Sequence, residues 1–397
     1  MKKILIIEDD QNIANVHRNK LVVDGYQAET APDGEAGLKL MRTYQPDLIV
    51  LDLMLPTISG VDVIKEIRKE AEFAKTPVIV FSNTYLTNLV QEAWRAGASK
   101  CLSKSSCSLN DFLDVVRQTV GASGAVPRAG AAVGGVVPAS AGPPAAGFDA
   151  AFQSDLRTAF VQSLPATLYA LRQGLLGLIK AENEAAQLRN IHELHRRVHA
   201  LSGNAGLAGL AQIAHLSSAF EALLKEIYDK PKSISPSTTR TVAAAVDFLS
   251  LLFDRAAQPD RQDIPASKIL VVDDEAISRR AIVYALEKAK LRSVNIEEPA
   301  EALRLLEEGE FDLVFLDVDM PGMNGFELCA KLRALPHLKK TPVIFVTSLD
   351  DFDNRTNSMM AGGNDFITKP FLFIELTVKA LIHVMRARLP AKRPSAG

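Results

Sequence analysis

The chain has 397 residues, enough for two to four domains at roughly 100 to 200 residues each, and an apolar share of 47 % supplies each with a core. Its 45 Lys and Arg against 47 Asp and Glu leave a net charge of −2, without the positive excess that phosphate backbones attract, so nucleic acid is not an expected partner. Three cysteines, Cys101, Cys107 and Cys329, have neither CxxC nor Cys/His zinc spacing; no disulfide framework or structural metal is expected, and a reducing cytoplasm fits best.

In chain order, MKKILIIEDD carries too short an apolar run for a signal peptide. The segment Lys3 to Asp9, KILIIED, returns as Lys268 to Asp274, KILVVDD. The same offset carries Asp52 to Asp317, Gly60 to Gly325, Pro77 to Pro342, Ser82 to Thr347, Gly97 to Gly362 and Lys104 to Lys369, with no insertion or deletion. Two copies of one domain therefore flank a different middle. The expected organisation is copy one at 1–120, a linker at 121–147, a middle domain at 148–257, a linker at 258–266, copy two at 267–389 and a tail at 390–397. The first linker is apolar, but it is broken by Arg128 and four prolines, so it reads as flexible and no membrane insertion is expected.

Within the copies, apolar runs at Ile4–Ile7, Leu48–Leu51 and Val78–Phe81, and at Ile269–Val272, Leu313–Leu316 and Val343–Val346, alternate with helical patterns such as Gly34–Thr43 and Ala300–Glu308. Continuous apolar strands between amphipathic helices predict a parallel sheet covered on both faces, an α/β doubly wound domain. In such sheets ligands sit beyond the carboxyl ends of the strands. Glu8 and Asp9, Asp52, Ser82 and Lys104 all fall there, as do Asp273 and Asp274, Asp317, Thr347 and Lys369.

Three converging carboxylates repel one another unless a cation intervenes, and an all-oxygen set suits Mg²⁺. With the ion bound, one carboxylate can attack a phosphoryl group in line while the lysine and hydroxyl engage its other oxygens. Phosphoryl transfer to Asp52 and Asp317 is the expectation. On these residues both copies resemble response-regulator receiver domains, with a flavodoxin-like fold. The resemblance implies Mg²⁺ on Glu8, Asp9 and Asp52 and on Asp273, Asp274 and Asp317. It also implies phosphorylation of Asp52 and Asp317, with Ser82 and Lys104, or Thr347 and Lys369, following the phosphoryl group. Copy two has the family's Lys369-Pro370 pair and the aromatic Phe366. Copy one departs with Glu8 for Asp, Ser105 after Lys104, and Cys101 at the aromatic position.

The middle carries no strand signal, and helical spacing predicts an all-α bundle of helices at Asp149–Ser163, Ala166–Lys180, Glu184–Ser202, Leu207–Tyr228 and Pro236–Arg255. On the third, Ile191, Leu194, Val198 and Leu201 form a core stripe, with His192, His195 and His199 beside it. Gly203 lies one turn past His199 and removes bulk where a partner would approach, so an accessible imidazole is expected, a competent phosphoryl nucleophile near neutral pH. The i,i+4 pair His195 and His199 also has metal-ligand spacing, which the adjacent Arg196 and Arg197 disfavour. The segment HALSGNAGLAG resembles the histidine-containing phosphotransfer (HPt) motif at His199, Leu201, Gly203 and Gly209, with Ser202 where the motif has Lys.

The expected function is a phosphorelay intermediate in two-component signalling. No nucleotide-binding loop is found, so the chain is not read as the kinase. A sensor histidine kinase would supply the phosphoryl group, and a downstream receiver, HPt or effector protein would take it. A non-catalytic adaptor that recruits kinase and effector, or a phosphate sink, is left open by the residues.

Overall fold

The computed structural model describes residues 1–83, 87–104, 107–121, 148–257, 267–348 and 361–389. Gly121, expected to open the first linker at 121–147, instead ends a helix; the rest of that linker, the linker at 258–266, the tail 390–397 and Ser105 lie outside the described residues. The chain divides into two compact units: Met1–Thr167 with Arg197–Ser218 and Ala256–Pro259, and Leu168–Arg196 with Ala219–Arg255 and Asp260–Gly397.

The first unit holds a parallel sheet of β1 (Lys3–Ile7), β2 (Gln27–Ala31), β3 (Leu48–Leu51), β4 (Val78–Ser82) and β5 (Lys100–Ser103), in the order β2-β1-β3-β4-β5. Its helices are α1 (Gln11–Val23), α2 (Gly34–Tyr44), α3 (Gly60–Lys69), α4 (Thr87–Ala96) and α5 (Leu109–Gly121). Strand side chains alternate between faces. Leu5, Ile7, Ile49, Leu51, Val78 and Val80 pack with Leu38, Met41, Val63, Ile64 and Ile67 of α2 and α3. Ile4, Ile6, Leu48, Val50, Ile79 and Phe81 pack with Ile13 and Leu21 of α1 and Phe112, Leu113 and Val116 of α5. Both faces being covered explains why the central strands β1, β3 and β4 read as apolar runs.

The middle helices are α6 (Phe148–Ile179), α7 (Glu184–Leu207), α8 (Ala211–Asp229) and α9 (Pro236–Phe253). The two helices expected at Asp149–Ser163 and Ala166–Lys180 are one, running through Pro165. Burial of Leu164 just before the proline and of Leu171 after it outweighs the roughly 3 kcal/mol that an interior proline costs. Helix α7 continues past the expected end at Ser202 to Leu207, and α8 starts at Ala211, later than Leu207. Between them Gly209 takes φ 71°, the left-handed turn that glycine closes at low cost. Leu207 joins the α1 and α5 side of the first unit's core.

The second unit repeats the sheet with β6 (Lys268–Val272), β7 (Arg292–Ile296), β8 (Leu313–Asp317), β9 (Val343–Thr347) and β10 (Asp365–Thr368), in the order β10-β9-β8-β6-β7, all parallel. Helices α10 (Ala276–Lys288), α11 (Pro299–Glu308), α12 (Gly325–Ala334) and α13 (Phe373–Arg388) accompany it. Here α9 meets α13: the Ser237 and Thr241 hydroxyls donate to the buried Glu375 Oε1 at 2.6 and 3.0 Å. The Arg240 guanidinium lies over the Phe366 ring, 4.5 Å from its centroid.

Candidate functional site

The carboxyl ends of β1, β3 and β4 bring the first set of expected residues together. Asp10 caps α1 by accepting the Asn12 and Ile13 backbone N–H groups, so the turn after β1 holds Glu8 and Asp9 at the sheet edge. Asp52 follows β3 directly. Gly60 is required behind it, since a Cβ there would come 2.2 Å from the Asp52 carbonyl oxygen; Gly325 stands in the same relation to Asp317. Lys104 Nζ donates to Glu8 Oε1 at 2.8 Å and to Asp52 Oδ2 at 2.7 Å, with all three side chains buried. Burial raises the Glu8 pKa against the pull of Lys104. For Lys104 burial works against the charge, but Asp52 and Glu8 outweigh it and the ammonium is held above its ordinary range. The Ser82 hydroxyl is buried at the end of β4 and makes no hydrogen bond among the described residues.

His199 sits against this cluster. Its Nε2 is 3.5 Å from Asp52 Oδ2 and 3.7 Å from Asp9 Oδ1. Burial would raise the Asp9 pKa, yet the neighbouring His199 and Lys104 bring it below the usual carboxylate range. The expected accessible imidazole is corrected: His199 is only 8 % exposed, because the carboxylate end of the first sheet covers it. Gly203 faces Ile13, whose Cδ1 lies 2.2 Å from where a Cβ would stand. Asn204 Nδ2 donates to Asp10 Oδ2 at 3.3 Å, and the buried Asn83 Nδ2 donates to the Ser218 carbonyl at 2.8 Å. Among the described residues, the cluster of potential ligands that holds His199 contains Glu8, Asp9 and Asp52 and does not include His195.

In the second unit Asp273, Asp274 and Asp317 offer ligand atoms within 4.8 Å of one another. Lys369 Nζ reaches Asp317 Oδ2 at 3.0 Å and Asp273 Oδ2 at 3.2 Å, and the Lys369-Pro370 bond is cis. The Ser278 hydroxyl donates to Asp273 Oδ2 at 2.5 Å, and the Glu275 backbone N–H donates to Asp273 Oδ1. Burial and the Asp273 charge raise the Asp317 pKa against Lys369. Thr347, at the end of β9, is buried. Phe366 is half-buried on β10; its counterpart Cys101 on β5 is also half-buried, and burial pushes its thiol up to about 12.

Both clusters fit a hard divalent cation. Each offers three carboxylates, with His199 Nε2 beside those of the first, and Asp9 Oδ1 and Asp317 Oδ1 are buried without a hydrogen bond among the described residues.

Two arginines that the sequence reading passed over hold the sheets' other ends. Arg68 donates to the carbonyls of Phe73, Thr76 and Gly97, and Arg333 to those of Leu338, Thr341 and Gly362. They occupy equivalent places in the repeat, which was the signal available. Nothing local marked Asn83, Asn204 or Ile13 as contacts of the His199 segment.

A family model described as response regulator receiver domain matches residues 4–117 and 269–381, and one described as Hpt domain matches 155–254. The transcriptional regulatory protein ResD of Bacillus subtilis is 41 % identical over 118 residues, 29 % of this chain and 48 % of ResD. The protein RcaC of Microchaete diplosiphon is 32 % identical over 126 residues, 32 % of this chain and 19 % of RcaC. The chain thus spans less than half the length of either relative. Among solved structures, the chemotaxis protein CheY4 of Vibrio cholerae is 28 % identical, with 30 % of this chain and 99 % of that one covered and a TM-score of 0.29.

Proposed function

This chain belongs to the response regulator receiver domain family, with an Hpt domain between its two receivers, and from that premise we propose that it is a phosphorelay intermediate of a two-component system, accepting phosphoryl groups on Asp52 and Asp317 and exchanging them through His199. The observation that carries this is the 3.5 Å approach of His199 Nε2 to Asp52 Oδ2 beside the Lys104 ammonium.

Glu8, Asp9 and Asp52 would hold Mg²⁺ in the first receiver, and Asp273, Asp274 and Asp317 in the second. When bound, the ion neutralises charge on phosphoryl oxygens. In transfer from His199, an Asp52 carboxylate oxygen bonds to phosphorus as the P–Nε2 bond breaks. The imidazole leaves with its electron pair on Nε2 and its proton on Nδ1. Lys104 and the Ser82 hydroxyl engage the phosphoryl oxygens, as Lys369 and Thr347 do at Asp317.

A sensor histidine kinase supplies the phosphoryl group on this reading, a downstream receiver, HPt or effector protein receives it, and the cytoplasm is where both are met. No helix among the described residues is long and apolar enough to cross a membrane.

The test loads the full chain with radiolabelled phosphoryl donor and Mg²⁺, comparing wild type with Asp52→Asn, Asp317→Asn and His199→Gln. Base-labile label should vanish in part with each aspartate variant and acid-labile label with the histidine variant. Unchanged label distribution and decay in His199→Gln would leave the middle domain a scaffold, and the adaptor reading would stand.

A further inference from the structure

Three segments around Asp52 grip the part of the middle domain that carries His199. At the β1–α1 turn, Asp10 accepts from Asn204. In the first turn of α1, Ile13, itself 1 % exposed, fills the space that Gly203 leaves. Just past β4, Asn83 donates to the Ser218 carbonyl of α8. These contacts flank the reacting pair without touching the reacting atoms, and they engage two helices at once, so they set the depth and register at which His199 meets Asp52.

The repeat supplies an internal control. At the equivalent places copy two has Glu275, Ser278 and Ser348. Ser278 has no aliphatic bulk and spends its hydroxyl on Asp273. Ser348 is exposed and lacks an amide donor. Glu275 turns its carboxylate toward Lys369, 3.7 Å away. The phosphoacceptor chemistry is thus duplicated, whereas the groups that hold the histidine-bearing helices are not.

We propose that Ile13 and Asn83, with Asp10, are the specificity-determining positioning residues that commit His199 to Asp52 rather than to Asp317. This rests on the phosphorelay reading. Loss of one hydrogen bond and one close apolar contact removes enough free energy to change a docking equilibrium about tenfold.

The test exchanges the residues within the full chain: Ile13→Ser with Asn83→Ser in one variant, Ser278→Ile with Ser348→Asn in a second, and Ile13→Val alone as the conservative variant. Docking is read without phosphate, as the rate of His199 carbethoxylation by diethyl pyrocarbonate followed by peptide mass analysis. Transfer is read after labelling His199 with radioactive phosphoramidate in EDTA and removing the donor, as the rate at which added Mg²⁺ moves acid-labile label from His199 to base-labile label on Asp52 against Asp317. The first variant should raise His199 modification about tenfold and slow the passage of label from His199 to Asp52 by a similar factor, with Asp317 label unchanged as the sign of an intact fold. Ile13→Val should behave as wild type, and the second variant should raise the share of label on Asp317. An unchanged His199 modification rate in the first variant, or transfer to Asp52 at the wild-type rate, would overturn the proposal. If modification rises but wild type passes no label from His199, the docking role stands and the phosphorelay reading falls.

Discussion

His199 Nε2 stands 3.5 Å from Asp52 Oδ2, and both side chains are withdrawn from solvent. Among the described residues Asp317 has no imidazole in its cluster, and the lysine beside it is 15 % exposed against 3 % for Lys104. A small-molecule phosphoryl donor should therefore label Asp317 faster than Asp52 in the full chain with Mg²⁺, and chelation with EDTA should abolish both labels. Asp317→Asn should remove the faster phase in a labelling time course. Retention of that phase would show that the second carboxylate cluster is not the acceptor.

Lys104 pairs with two buried carboxylates at once. Lys104→Met should destabilise the first receiver by about 3 to 5 kcal/mol, because removing one partner leaves an uncompensated buried charge. Urea unfolding measures this, and Mg²⁺ should restore part of the loss by replacing the missing positive charge.

Gly60 and Gly325 press on the carbonyls of Asp52 and Asp317. Alanine at either must displace backbone rather than a yielding side chain, at a cost of about 1 to 3 kcal/mol. Labelling of Asp52 should fall in Gly60→Ala and labelling of Asp317 in Gly325→Ala, each with the other acceptor as its control.

His17 is buried between Phe81 and Phe112, donating from Nδ1 to the Ile13 carbonyl, and burial lowers its pKa from 6.5 to about 4. The folded state excludes a proton that the unfolded chain accepts below pH 6.5. This contribution to stability is therefore complete above 6.5 and lost as pH falls toward 4, by ~3 kcal/mol at most. The stability difference between wild type and His17→Gln should shift in that direction across the window, as denaturant titrations at successive pH values would record.

The central strands were legible because both faces of each sheet are covered, so Leu48–Leu51 and Val343–Val346 have no polar position to blur them. The grouping of the carboxylates was legible because the repeat carries residue type and spacing together. Pro165 misled, since local propensity argues for a break where burial of Leu164 and Leu171 holds the helix whole. Glu375 is invisible by the same token: a glutamate on an amphipathic helix reads as surface until Ser237 and Thr241 are seen to cover it. The burial of His199 could not be read either, because helical periodicity gives the side of α7 on which the ring lies and nothing about what closes over it.

The closeness of His199 to Asp52 has a thermodynamic corollary. A phosphoryl group bonded to either atom needs the other at an attack distance of about 3 to 3.5 Å from phosphorus, so the two ends must stand apart by that distance and a bond length more. At 3.5 Å the pair has no room for it. A phosphoryl group on either residue would therefore wedge the helices away from the receiver. By reciprocity, whatever factor the phosphoryl group takes from docking, docking takes from phosphoryl loading. The interface would then act as a gauge of occupancy, tight when the relay is discharged and loosened by the group it carries.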